Sequence, residues 1–274
     1  MGTRGITTLS QRQQAEIFAK LTSANQEVKD IRATKTKLNN PPINLSNNEL
    51  FEDHVRDLAW RPMQNHGLND SNIELKAEDM DWPMQVRAYL NLIKDIDISA
   101  KTIVDMGCGW GRGVDIISKY YDNANITGID NEAQCIQYAR QHYPNRRYLQ
   151  AKQLDDAYDI ILSMCSAHLL FETGFFDKKY DSTIIVSDFF DRTSINQFKD
   201  AVEKNYTIEL EEDQTKQTIS AMEYDIATID GRFKNLRVPQ ESINVFRDIQ
   251  QSRLHQFRSG GQRQYKYVLY AKMV

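Results

Sequence analysis

The sequence has 274 residues, a net charge of −4 at neutral pH, 41% hydrophobic residues and 26% charged residues. These values are typical of a soluble globular protein of one or two domains. The acidic balance argues against nucleic-acid binding, no apolar run reaches the ~18 residues of a membrane span, and the N-terminus lacks the apolar core of a signal peptide. We therefore expect a cytoplasmic protein with no nucleic-acid or membrane partner.

The three cysteines and the five histidines are scattered along the chain. A disulfide framework or a zinc site would need them in closely spaced groups. The sequence therefore predicts no disulfide and no metal site.

The N-terminal third is predicted to be helical. Apolar residues recur every three or four positions over 8–36 and 46–66, and a further helix is expected over 82–96. We interpret residues 1–98 as a helical cap, and a homodimer contact through these helices is the alternative role. The second helix ends in a loop that contains His66. This loop either covers an active site or fills the core of the cap.

The stretch Thr102–Gly113 organises the rest of the chain. It reads as a short apolar strand, a turn rich in glycine and the start of an amphipathic helix, which together make the first half of a nucleotide-binding βαβ unit. A second strand over 124–130 ends in Asp130. This acid follows the glycine turn by about 20 residues, the spacing at which a carboxylate binds ribose hydroxyl groups.

Strands and helices continue to alternate downstream. Further strands are predicted over 146–151, 157–164, 183–190, 206–210 and 264–273, with helices over 132–142 and 194–205. This order predicts an α/β fold with a doubly wound, Rossmann-like sheet of seven strands, in which the last strand is antiparallel. The expected domains are a core over 99–210, a helical lid over 211–262 and a last core strand over 263–274.

The glycine turn distinguishes two cofactor classes. A nicotinamide enzyme would prefer the pattern G-x-G-x-x-G, whereas here Asp105 stands two residues before the first of several glycines, with Cys108 between two of them. This pattern resembles motif I of the class I methyltransferases that use S-adenosylmethionine, and the resemblance covers about residues 100–274. It implies S-adenosylmethionine as the cofactor, bound by Asp105, Gly107, Cys108, Gly109, Gly111, Asp130, Asn131, Gln150, Ala151, Ser163 and Met164.

One part of the pattern departs from that family. The family usually has an acid directly after the third strand, and this chain has Gln150-Ala151 there. We expect adenine to be contacted by the amide of Gln150 or Gln153, or by the backbone alone.

Three segments after the fourth strand narrow the resemblance. Ser163–His168, Phe175–Asp177 and Val186–Phe190 are similar to a subgroup of methyltransferases that act on lipids, prenyl diphosphates and polyketide-like natural products. His168 is the candidate base or acceptor anchor, His66 is a second catalytic candidate, and Asp188 either orients the acceptor or caps a helix.

The sequence alone does not identify the acceptor, and it leaves two rival functions possible. Transfer to oxygen is slightly favoured over nitrogen or carbon because of His168, while a nicotinamide oxidoreductase and a catalytically inactive binding subunit are the rivals. The basic residues of the predicted lid either bind an anionic group of the acceptor or form a solvated face; they are Arg232, Lys234, Arg237 and Arg247.

Overall fold

A computed structural model describes residues 65–155, 157–233 and 240–272. The predicted helix over 8–36, and nearly all of the one over 46–66, lie outside these ranges. The helical cap and the homodimer contact therefore stay predictions.

A mixed sheet lies at the centre of the described residues. Its strands are β1 (Thr102–Met106), β2 (Asn125–Asp130), β3 (Arg147–Gln150), β4 (Ile160–Met164), β5 (Thr183–Phe190), β6 (Tyr206–Asp213) and β7 (Arg263–Ala271). They are arranged in the order β3-β2-β1-β4-β5-β7-β6. Strands β1 to β5 are parallel, and β7 runs antiparallel to both β5 and β6. The predicted seven-stranded sheet with an antiparallel last strand is confirmed.

Seven helices flank the sheet in the part of the chain that is described. They are α1 (Pro83–Ile93), α2 (Arg112–Tyr120), α3 (Ala133–His142), α4 (Ala167–Glu172), α5 (Arg192–Val202), α6 (Thr215–Phe233) and α7 (Gln240–Arg258). Helix α4 was not predicted, because six residues give too short a periodic pattern. Strand β6 continues three residues beyond 210, where the lid was expected to begin. None of the helices in these ranges is both long and apolar enough to cross a bilayer.

Apolar side chains cover both faces of the sheet. On one face Ile103 and Leu162 pack with Val114 of α2 and Leu92 of α1. On the other face the large buried rings include Phe176, Phe190, Phe198, Tyr206 and Tyr267. Every residue of β4 is buried, as expected for a parallel strand covered on both faces.

Helices α6 and α7 form a third, smaller apolar cluster, in which Met222, Leu254 and Phe257 pack against Phe189 at the end of β5. Helix α6 is also joined to α1 by a buried polar contact. The carboxylate of Asp225 accepts a hydrogen bond from Gln85 at 2.5 Å and pairs with Arg232 at 2.9 Å. The apolar cluster holds α6 and α7 over the carboxyl end of β5, and the polar contact holds α6 against α1.

Gly113 provides a test of how tightly α1 packs on α2. A methyl group added at this glycine would lie 2.1 Å from the ring of Tyr89. We expect Gly113→Ala to lower the free energy of unfolding by about 1–3 kcal/mol, the usual cost of overpacking a core. Urea denaturation followed by circular dichroism measures this change.

Gly231→Ala is the matched control. Gly231 lies in α6, and an added methyl group there meets no atom within 4 Å. The control should be neutral or stabilise the protein by up to about 1 kcal/mol, because alanine favours a helix more than glycine does. Equal effects of the two substitutions would contradict the packing described for Tyr89.

Candidate active site

The candidate site lies where the order of the strands reverses. Strands β1 and β4 are neighbours in the sheet, but the chain continues from β1 to β2 on one side and from β4 to β5 on the other. In open α/β sheets, such a reversal leaves a crevice at the carboxyl ends of the strands, and ligands bind there. Apart from His66, which precedes α1, the predicted site residues lie at or near the carboxyl ends of β1 to β5.

The glycine turn after β1 is fastened to the end of β2. The backbone N–H groups of Gly107 and Cys108 both donate to the carbonyl oxygen of Ile129, at 2.8 and 3.0 Å. Gly107 has a φ of +77°, and a Cβ at this position would lie 2.6 Å from the side chain of Ser166. Gly109 has a φ of +53°, and an added Cβ would meet nothing within 4 Å. Gly107 therefore serves packing, whereas the surface of the turn is open at Gly109.

Asp130 closes the glycine turn from the side of β2. One carboxylate oxygen accepts from the backbone N–H of Gly109 at 2.9 Å, and the other accepts from the N–H of Glu132 at 2.9 Å. A carboxylate has about four acceptor positions. Asp130 therefore keeps lone pairs for further donors, such as two adjacent hydroxyl groups.

Asp105 is the buried acid of the site. Its side chain is fully buried at the end of β1, and neither oxygen has a hydrogen-bond partner in the described part of the chain. Burial and, to a smaller extent, the charge of Asp130 raise the pKa of Asp105 to about 7, while the nearby hydroxyl of Tyr89 partly offsets the rise. A buried carboxylate without a donor is costly, so a cationic ligand at this position would stabilise it.

Four other predicted cofactor residues have roles inside the protein. The Cys108 side chain lies in the core, where burial raises the pKa of its thiol. The carbonyl of Gly111 accepts a hydrogen bond from Tyr148 at 2.9 Å. Ser163 is buried with its hydroxyl 2.8 Å from that of Ser166. Met164 lies with buried polar residues around a small cavity of about 10 Å³, enough for about one water molecule.

The expected adenine side is built mainly from backbone and exposed amides. Asn131 and Gln150 are both exposed, and the Gln150 amide donates to the carbonyl of Asn131 at 3.4 Å. The N–H of Ala151 donates to the carbonyl of Asp130 at 3.0 Å. Gln153 accepts a hydrogen bond from Lys178 instead. The structure thus brings Asn131, Gln150 and Ala151 together beside Asp130.

Cys165, which sequence reasoning did not select, has an unusual backbone conformation. Its φ is +54°, in the left-handed region that costs a residue with a Cβ about 1 kcal/mol or more. Its N–H donates to the carbonyl of Ser187 at 2.7 Å, and this bond holds the turn after β4 against β5. Nothing in the sequence signals this conformation, because neither cysteine nor its neighbours favour it.

His168, which follows β4, and Asp188, near the carboxyl end of β5, form a hydrogen-bonded pair. Both the backbone N–H and the Nδ1 of His168 contact the same carboxylate oxygen of Asp188, at 2.9 and 3.0 Å. Asp188 is fully buried. Its hydrogen bond raises the pKa of His168, and partial burial of the ring opposes that effect. If Nδ1 carries the proton that points to Asp188, Nε2 is left as an acceptor.

His66 lies near His168 across one aromatic ring. The Phe189 ring centroid is 5.0 Å from that of His66 and 5.3 Å from that of His168. The other side of His66 contacts Phe257 of α7 at 5.5 Å. His66 is buried. The two predicted catalytic histidines therefore share one aromatic neighbour, Phe189, and His66 also contacts Phe257.

Among the described residues, no group of three or more His, Cys, Asp or Glu side chains is arranged to hold a metal ion.

Residues 103–204 match the family model described as "Methyltransferase domain". Protein 235L of Invertebrate iridescent virus 6, which is named as a methyltransferase, is 33% identical over 97 residues, or 34% of this chain and 36% of that protein. A trans-aconitate 2-methyltransferase of Delftia acidovorans is 43% identical over 49 residues, which is 18% of each chain. The chain thus spans 36% of the length of the first relative and 18% of the length of the second.

Solved structures share the fold at low sequence identity. The cyclopropane synthase MmaA2 of Mycobacterium tuberculosis superposes with a TM-score of 0.61 at 14% identity, over 81% of this chain and 92% of that one. The O-methyltransferase of a trans-AT polyketide synthase of Brevibacillus brevis, solved with S-adenosylhomocysteine, gives 0.54 at 14% identity, over 77% and 82%. The chain therefore shares the fold of these solved structures, and residues 103–204 are similar to a methyltransferase domain.

Proposed function

We propose that this protein transfers a methyl group from S-adenosylmethionine to a small-molecule acceptor by in-line displacement, and that oxygen is the favoured acceptor atom. The proposal is supported chiefly by the buried carboxylate of Asp105, which has no hydrogen-bond partner among the described residues. The α-ammonium group of a bound S-adenosylmethionine or S-adenosylhomocysteine supplies the missing donor. S-adenosylmethionine, when bound, supplies the methyl group on a sulfonium centre.

The neighbouring residues fit the rest of that cofactor. Asp130 has acceptor positions left for the two ribose hydroxyl groups, and Gly109 leaves open space above the turn. Asn131, Gln150 and Ala151 lie on the side where adenine would follow the ribose. None of these residues needs a pyrophosphate group as its partner. This favours S-adenosylmethionine over a dinucleotide as the cofactor.

His168 favours oxygen as the acceptor atom. A neutral amine can attack a methyl group without a base, whereas a hydroxyl group must lose its proton. The Asp188 carboxylate holds the His168 ring and stabilises its protonated form, so Nε2 is suited to take the hydroxyl proton. Transfer to nitrogen or carbon, in which His168 only anchors the acceptor, is the second candidate.

The two rival functions are separated by titration calorimetry with S-adenosylhomocysteine and with NAD on the same preparation. We expect saturable heat with S-adenosylhomocysteine alone. Binding of NAD alone would replace the proposal with an oxidoreductase, and binding of neither ligand would favour a binding subunit without catalysis.

Asp130→Asn should weaken the binding of S-adenosylhomocysteine by about tenfold to a hundredfold. The substitution removes one acceptor oxygen and the charge that strengthens hydrogen bonds, a loss of about 1.5–3 kcal/mol. Calorimetry measures the dissociation constant. Asp122→Asn, an exposed acid before β2 at the opposite end of the strand, is the control and should bind like the wild type. A similar loss in both variants would argue against the ribose contact.

The affinity for S-adenosylhomocysteine should rise with pH up to about pH 7 and then level off. Below pH 7 the buried Asp105 holds a proton, which must leave when the ligand ammonium binds. The same shift makes the ligand-free protein less stable as pH rises from about 4 to about 7, because only the unfolded state loses this proton over that window. Calorimetry between pH 5 and pH 8 in two buffers of different ionisation enthalpy measures the proton release. In Asp105→Asn the release should vanish, and a release that persists would exclude Asp105 as its source.

Asp188→Asn should lower the pKa of His168 to or below its ordinary value of 6.5, because the hydrogen bond to a charged partner is lost while burial of the ring remains. Proton NMR titration measures this, with the resonance assigned through His168→Gln. In the wild type the raised pKa adds stability below pH 6.5 that is lost as pH rises through the raised value.

Asp181→Asn, an exposed acid before β5 at the opposite end of that strand, is the control for the titration and should leave the pKa of His168 unchanged. Once a hydroxyl acceptor is found, His168→Gln should reduce kcat by about 10²- to 10⁴-fold. Full activity of His168→Gln would contradict its role as the base.

A further inference from the structure

Arg253 differs from the other arginines of α6 and α7 whose side chains are described. Three of these pair with acids of α6: Arg232 with Asp225, Arg247 with Asp230 and Arg258 with Glu223. Arg253 has neither an ion pair nor a hydrogen bond with any residue of the described ranges. Burial lowers the pKa of its guanidinium, and the Cys165 thiol is the titratable neighbour that opposes this shift.

Arg253 lies on the inward face of α7. Gln250 precedes it by one helical turn and Phe257 follows it by one turn, and both of these side chains are buried. Residues three and four apart share a face of a helix, so the guanidinium belongs to the buried side of α7. Arg258 is exposed, by contrast.

The inward face of α7, which carries Arg253, is turned towards the candidate site. Cys165, its titratable neighbour, stands in the turn after β4, three residues before His168. Phe257, on the same face of α7 as Arg253, contacts His66, and Phe189 lies between His66 and His168. The guanidinium therefore faces the site, near the turn after β4, rather than the outer surface of α7.

A second unsatisfied donor lies on the same helical face. Gln250 is 1% exposed, and its amide nitrogen has no hydrogen-bond partner within the described residues. Burying an amide donor or a guanidinium without a partner costs free energy. An oxyanion would supply acceptors for both, because a guanidinium forms two parallel hydrogen bonds with a carboxylate or a phosphate group.

We propose that Arg253 and Gln250 bind a carboxylate or phosphate group of the acceptor and thereby hold its reactive atom beside His168. This inference rests on the proposed methyl transfer, since it names the class of acceptor. The acceptor is then an acid or a phosphate ester, and a neutral lipid is excluded.

The test uses the full chain and two reagents that differ in charge. Iodoacetate is an anion and iodoacetamide is neutral, and both alkylate a cysteine thiolate with loss of iodide. Mass spectrometry gives the rate of each reaction at Cys165. We expect Arg253→Gln to reduce the ratio of the iodoacetate rate to the iodoacetamide rate by roughly two- to fivefold, the effect of one charge pair near a protein surface. The ratio cancels any change in the pKa of the thiol, because both reagents attack the same thiolate.

Three controls belong to this experiment. Arg253→Lys should keep most of the ratio, because it keeps the charge. Arg258→Gln, which removes an exposed arginine paired with Glu223, should leave the ratio unchanged, as should Cys135 on α3 in every variant. An unchanged ratio in Arg253→Gln, or an equal fall in Arg258→Gln, would overturn the proposal.

The chemistry of the anion is resolved by protection of Cys165. Inorganic phosphate and succinate are compared at the ionic strength of a sodium chloride reference, with S-adenosylhomocysteine present. Protection of the wild type by one of them, reduced in Gln250→Met, supports a phosphate or a carboxylate acceptor respectively. Protection by neither beyond sodium chloride counts against the proposal.

S-adenosylhomocysteine binding is measured separately in Arg253→Gln and should equal that of the wild type. If the wild type fails to bind S-adenosylhomocysteine but keeps the reagent ratio, the proposed methyl transfer fails while the anion site stands.

Discussion

The carbonyl oxygen of Ile129 receives two N–H groups from the glycine turn, and the site depends on this shared contact. It fixes the end of β1 to the end of β2 although the chain turns sharply between them. On the other side, Ser166 donates to the carbonyl of Met106 at 2.9 Å and so fixes β1 to the turn after β4. The backbone around the crevice is thereby held on both sides before any ligand binds. Such preorganisation lowers the conformational entropy that the protein must lose when a ligand binds.

Two buried acids carry the electrostatics of the crevice, and their environments differ. Asp188 is supplied with donors by His168 and by the N–H of Phe189, so its charge is compensated within the protein. Asp105 is equally buried but has no such donors in the described ranges. The first acid positions a side chain, whereas the second is poised for a cationic ligand. Sequence alone shows an acid near the end of β1 and another near the end of β5, and it does not reveal this difference.

The fold was predictable because its signals are local. The apolar runs of β4 and β5, the glycine turn and the periodic helices all depend on neighbouring residues. The position of Asp130 followed from its spacing after the turn, and the meeting of His168 with Asp188 follows from their places after adjacent parallel strands. Arg253, Gln250 and the strained backbone of Cys165 could not be found in this way. Their significance depends on contacts between distant segments, and the basic residues of α6 and α7 look alike in the sequence until their partners are known.

Tyr89 connects helix α1 to the electrostatics of the crevice. Its ring packs over Gly113 in the first turn of α2, and its hydroxyl lies near the buried Asp105. Helix α1 is therefore a dielectric shield for the cofactor site, besides being the end of the N-terminal region. Removing α1 would admit water to Asp105, and the carboxylate would then be hydrated and ionised without any ligand. The boundary of a minimal cofactor-binding fragment consequently lies before Pro83, well upstream of the first strand at Thr102.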